Sequence, residues 1–154
     1  MRASDPSRPK PRLTLDSRLE ELALVWPWVE AIAGQYAVSA QTRYSIHLCL
    51  EEALSNIIRH GYKGQAGQPI TVDFAATVAE DDGAAELIFT IEDHAPPFEP
   101  PASCAASHNL QPASLKELDP GGQGLHLMRK FASRLRWERL RNGNRLTLAF
   151  TLPG

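Results

Sequence analysis

Apolar residues recur along this chain at two different periods, and the change of period divides it. Between Ser17 and Tyr36, residues Leu19, Leu22, Trp26, Val29, Ala33 and Tyr36 follow one another at steps of three and four. That spacing predicts a helix with one buried stripe. Pro27 falls inside the pattern and should kink the helix or mark a new start. A second helix is predicted from Ala40 to His60. Its core stripe holds Ile46, Leu50, Ala53, Leu54 and Ile57, and Glu52, Ser55, Asn56 and Arg59 form an adjoining polar face. Gly61 is the expected terminator.

The period then becomes two. Ile70, Val72, Phe74, Ala76 and Val78 alternate with other residues, and Leu87–Asp93 forms a second strand beyond an Asp82-Gly83 turn. Four prolines between Pro96 and Pro101 end that strand. Residues 99–120 read as a long loop, a length that marks functional or disordered segments. Gly121–Ser133 reads as a glycine-led helix. A hairpin closes the pattern, with Leu135 and Trp137 on one arm, Leu146, Leu148, Phe150 and Leu152 on the other, and Asn142-Gly143 at the turn. Leu13 and Leu15 are placed in an edge strand, before a helix capped by Asp16 or Ser17. Several alternate strand positions are polar (Arg136, Glu138, Arg145, Thr147, Thr151), so one sheet face is open and the other covered. The expected architecture is α+β in two layers, with helices on one face of a mixed, mainly antiparallel sheet.

Composition narrows the class. The chain has 154 residues, 43% of them hydrophobic and 22% charged, with a net charge of −2. This bounds it to one domain, expected over 13–154, after a flexible Pro-rich and basic tail over 1–12. No global basic field points to nucleic acid or a membrane surface. No apolar run approaches the roughly 18 residues of a membrane span, and the N-terminal residues lack a signal-type apolar core. Cys49 and Cys104 show no metal-ligand spacing, so reduced thiols in a cytoplasm are expected. His60 is expected to cap the end of the second helix, and His47, His94, His108 and His126 show no ligand spacing either.

Three short blocks carry chemistry. Within Leu48–Tyr62, Glu52 and Asn56 lie one turn apart on one helical face. A neutral amide oxygen there can ligate Mg²⁺, and a carboxylate can take a proton. Asp93 stands where a strand ends, and it can accept a hydrogen bond from an exocyclic amino group such as adenine N6 while rejecting a carbonyl. Gly121-Gly122-Gln123-Gly124-Leu125 leads into a helix whose backbone N–H groups suit phosphate.

In this order the blocks resemble the N, G1 and G2 boxes of the Bergerat-fold (GHKL) ATPases. The resemblance is nearest to the anti-sigma factor serine kinases of the RsbW/SpoIIAB type. It rests on Glu-Ala-Leu-Ser-Asn-Ile-Ile-Arg-His-Gly-Tyr in the second helix, Pro97-Phe98-Glu99-Pro100 after Asp93, and Asn144-Arg145-Leu146-Thr147-Leu148 in the final strand. It implies an ATP- and Mg²⁺-dependent protein serine kinase. Glu52 would be the general base, Asn56 the Mg²⁺ ligand and Asp93 the adenine acceptor. Ala95, Pro97 and Leu125 would stand among the nucleotide-binding positions, Gly122 and Gly124 would border the phosphates, and 99–120 would be the ATP lid. A STAS-domain anti-anti-sigma protein and a sigma factor are the implied partners, and homodimerisation is implied too. Glu52 argues against a histidine-kinase catalytic domain, whose N box usually has Asn at that place. Two positions depart from the pattern. Ala95 replaces the usual G1 glycine, where a methyl group crowds adenine unless the turn points it elsewhere, and Pro120 stands where some relatives carry a basic residue. These departures support an alternative, an ATP-dependent protein-binding switch with little kinase activity.

Overall fold

The structure is a computed structural model, and it describes residues 11–78, 85–96 and 124–152. Strand β1 (Arg12–Asp16) leads into a 3₁₀ turn at Leu19–Leu24 and helix α1 (Val25–Gln35). Helix α2 (Ala40–Asn56) continues as a π turn, Ile57–Gly61. Strands β2 (Pro69–Val78) and β3 (Ala85–Asp93), helix α3 (Gly124–Phe131) and strands β4 (Arg134–Leu140) and β5 (Gly143–Thr151) complete the described chain. The sheet order is β1-β2-β3-β5-β4, with every pairing antiparallel. The helices cover one face, which is the two-layer α+β arrangement expected.

The core lies between the layers. Leu15, Ile70, Val72, Leu87, Phe89, Ile91, Leu148 and Phe150 point down from the sheet, and Val29, Ile32, Ile46, Leu50 and Leu54 meet them from α1 and α2. Phe89 is the hub: its ring meets Trp28 edge-on at 5.9 Å and Phe150 at 6.0 Å. Truncating a buried aromatic of this kind to alanine costs about 3–5 kcal/mol.

The first helix departs from its expected stripe. The 3₁₀ turn and the fresh start at Val25, two residues before Pro27, rephase the pattern, so Val25, Trp28, Val29, Ile32 and Ala33 face inward. Leu19 and Trp26 stand outside, 48% and 56% exposed. Trp26 instead stacks on His47, centroids 3.8 Å apart, while Glu30 pairs with His47 Nε2 (2.8 Å) and with Arg43 (3.3 Å), which ties α1 to α2. Strand β2 also outruns its cover: Ile70 and Val72 are buried, but Ala76 and Val78 are exposed. Ser17 caps no helix. Its hydroxyl donates to the Gln65 carbonyl and accepts from Gln68 N–H, fastening the loop before β2.

Cross-strand ion pairs line the open face, with Arg12 on Asp73, Arg134 on Glu86, and Arg145 on Glu92 and Glu138. Such exposed pairs contribute little each. Two of the expected features, most of the 1–12 tail and the Asp82-Gly83 turn, lie outside the described residues.

Candidate functional site

Helix α2 starts cleanly because the Ser39 side chain accepts from Thr42 N–H (3.2 Å). It carries Glu52 and Asn56, both half-buried, at its far end. Asn56 is the last α-helical residue, and the chain then widens. Tyr62 N–H donates to the Ile57 carbonyl five residues back (2.8 Å), and Gly64 N–H to the Ile58 carbonyl (2.8 Å). Single π turns of this sort are frequent at functional sites. Gly61 is not the left-handed terminator expected of it. That conformation falls on Lys63 (φ 54°) and Gly64 (φ 79°). Arg59 turns back onto Ser55, reaching its carbonyl (3.4 Å) and hydroxyl (3.0 Å).

Strand alternation places Asp93 on the core side of β3, in line with Leu87, Phe89 and Ile91 and one step past them. The carboxylate is therefore buried, at 4% exposure. Its Oδ1 accepts from Ala95 N–H and from Asn144 Nδ2, both at 2.9 Å. Burial pushes its pKa up, and those two hydrogen bonds pull part of the way back. Asn144 faces Asp93 across the β3–β5 pairing. The Asn144 Oδ1 is buried and has no partner among the described residues, an acceptor left for a donor. Gly143 permits this approach. A Cβ there would stand 1.8 Å from the Asp93 carbonyl oxygen, an overlap no side chain survives.

Ala95 is buried at 2% exposure and does not adopt positive φ. Its methyl lies against Gly61: a Cβ built on Gly61 would come within 3.2 Å of it. The methyl thus packs toward the end of α2. The Tyr62 hydroxyl makes the second link, donating to the Pro69 carbonyl (2.8 Å) and accepting from His94 N–H (2.6 Å). The helix bearing Glu52 and Asn56 is in this way joined to the turn bearing Asp93.

Of the residues singled out from sequence, Glu52, Asn56, Asp93 and Ala95 fall in this region. Gly124 and Leu125 open α3, which packs on α2. Pro97, Gly122, the rest of the Pro97-Phe98-Glu99-Pro100 block, the 99–120 segment, Cys104 and Pro120 lie outside the described residues. Tyr62, Gly143 and Asn144 had no assigned role in the sequence pattern. Each was part of a visible motif, a helix-end tyrosine or a turn, but its partner sits in another element.

The chain matches the histidine kinase-like ATPase domain family over residues 15–150. It is 32% identical over 124 residues to the serine/threonine-protein kinase BtrW of Bordetella bronchiseptica, covering 79% of this chain and 79% of that protein. It also superposes on the RsbU and RsbW domains of Rv1364c from Mycobacterium tuberculosis with a TM-score of 0.57 at 17% identity. That match covers 93% of this chain and 33% of the other, and it shows a shared fold. Among the described residues no helix is long and apolar enough to cross a membrane.

Proposed function

The chain belongs to the histidine kinase-like ATPase domain family, and from that premise we propose that it is an ATP-dependent protein serine kinase acting as an anti-sigma factor. In this reading it phosphorylates a STAS-type antagonist and sequesters a sigma factor when that antagonist is absent.

The observation that carries the nucleotide reading is the buried Asp93–Asn144 pair. An exocyclic amino group brings two N–H donors. Asp93 accepts one, and the orphaned Asn144 Oδ1 is an acceptor for another. A purine carbonyl at that place would leave both acceptors facing a third, which costs a buried site heavily. The donor set at the other end fits a magnesium ion, which takes hard oxygen ligands and usually keeps few from protein. The Asn56 amide oxygen would be such a ligand, and the ion would neutralise charge on the phosphates.

Glu52 would accept the proton of the substrate serine hydroxyl. The serine oxygen forms its bond to the γ-phosphorus as the bond from that phosphorus to the β–γ bridging oxygen breaks, and ADP leaves with the electron pair. Phosphoryl transfer needs mainly positioning and charge stabilisation, so a helix that presents base and ligand one turn apart supports the reading.

Incubation with labelled ATP, Mg²⁺ and candidate STAS proteins encoded nearby tests it. The expected result is phosphoserine on one such protein, with Glu52→Ala still binding ATP but slowed by about 10²–10⁴-fold. Phosphorylation that persists in Glu52→Ala overturns the base assignment. ATP binding with no transfer by the unaltered protein favours the binding switch.

A further inference from the structure

We propose that Tyr62 is a positioning residue for nucleobase recognition, acting through the backbone of the Asp93 turn. The proposal rests on the nucleotide reading of Asp93 given above. Tyr62 is nearly fully buried, at 5% exposure, yet its hydroxyl is fully used. It donates to the Pro69 carbonyl at the entry to β2 and accepts from His94 N–H immediately after β3. Burial raises its pKa, so it stays a neutral phenol able to do both at once. His94 N–H belongs to the peptide that directly follows Asp93. Fixing that peptide fixes the direction in which the chain leaves the strand. The next N–H, of Ala95, then falls on Asp93 Oδ1. Tyr62 thereby sets one of the two hydrogen bonds that aim the carboxylate, and Asn144 sets the other.

The second support is steric. Gly61 precedes Tyr62 and receives the Ala95 methyl at the same junction. Two adjacent residues at the end of the Glu52/Asn56 helix therefore grip two adjacent residues of the base-reading turn. The π turn matters because the hydrogen bond from Tyr62 N–H to the Ile57 carbonyl starts the Tyr62 side chain from a fixed backbone. A base bound by Asp93 is then held at a set distance from groups on the helix, through one contiguous stretch of chain.

The test compares ATP with ITP, which carries a carbonyl where adenine has its amino group. Affinities of the full chain and of Tyr62→Phe, which keeps the ring and removes the hydroxyl, are measured by calorimetry. The expected result is an ATP-over-ITP ratio that falls by about tenfold in Tyr62→Phe, the size of one or two hydrogen bonds. A merely structural role would lower the melting temperature and leave the ratio unchanged, and that outcome overturns the proposal. Absence of ATP binding by the unaltered protein overturns the underlying nucleotide reading instead. Should Tyr62→Phe not fold, hydrogen exchange of the His94 amide in the unaltered protein decides the matter. Exchange slowed more by bound ATP than by bound ITP supports the coupling, and equal exchange with both nucleotides overturns it.

Discussion

The contact between Gly61 and Ala95 converts into a double-mutant cycle whose sign follows from geometry. A methyl added at position 61 would sit 3.2 Å from the Ala95 Cβ and 3.7 Å from Ile57 Cγ2. The second distance is ordinary, while the first is a few tenths of an ångström inside the carbon–carbon optimum of about 3.5–4.0 Å. Overpacking of this kind costs about 1–3 kcal/mol. Gly61 does not have positive φ, so alanine there also recovers up to about 1 kcal/mol of helix propensity. Gly61→Ala alone should therefore cost about 0–3 kcal/mol. Ala95→Gly removes a buried methyl, about 0.8 kcal/mol, and adds backbone freedom to the unfolded chain, about 0.5–1 kcal/mol. In the double variant the methyl has moved from one side of the junction to the other, and the overlap is gone. Its cost should be smaller than the sum of the single costs by about 1–2 kcal/mol. Urea unfolding of the four proteins with unchanged m-values measures this. Additivity to within about 0.5 kcal/mol would show that the two positions do not touch, and would refute the packing described.

Two further outcomes follow from buried groups. Asp93 holds its proton more tightly in the fold than in the unfolded chain, so its ionisation lowers stability. That cost is absent below the ordinary carboxylate pKa of about 3.9 and sets in as pH rises through the higher folded value. Asp93→Asn should thus unfold at an equal or higher urea concentration at pH 7 and flatten the pH dependence above pH 4. Its ATP affinity should fall by about 10–100-fold, the worth of a charged hydrogen bond; a variant that loses stability and keeps its affinity would contradict this account. Cys49 is fully buried, and burial pushes its thiol up to about 12, so it should stay unreactive toward a thiol reagent until the protein unfolds. Rapid labelling of Cys49 in native protein would contradict that burial.

The face of α2 that carries Glu52 and Asn56 was legible because its information is local. Glu52 and Asn56 need only the helical repeat to be placed together, and Asp93 needs only the end of an alternating strand. The stripe of α1 misled because a 3₁₀ turn consumes residues at a different angle per step, so a pattern running through Leu19 and Trp26 continued on paper and broke in space. The π turn at Ile57–Gly61 had the same effect on Gly61, whose position looked like a cap and proved to be a close contact with Ala95. Asn144 and Gly143 were read only as turn and strand, since their partnership with Asp93 depends on β3–β5 register. Register is a tertiary property that a single strand's pattern does not encode.

That register also orders events in time. Asp93 and Asn144 are separated by 51 residues, and β5 is the last of the five strands along the chain. At roughly 5–20 residues per second on the ribosome, Asp93 is made seconds before its strand neighbour. Throughout that interval the α2 helix can be complete while Asp93 lacks its Asn144 partner, and Phe89 and Ile91 have no β5 to cover one edge. With Asp93 and Asn144 holding the base as proposed, nucleotide affinity would report a finished sheet rather than a finished helix. A ligand that binds only the finished sheet draws the chain toward it by mass action, so on the proposed assignment ATP would also stabilise the folded chain.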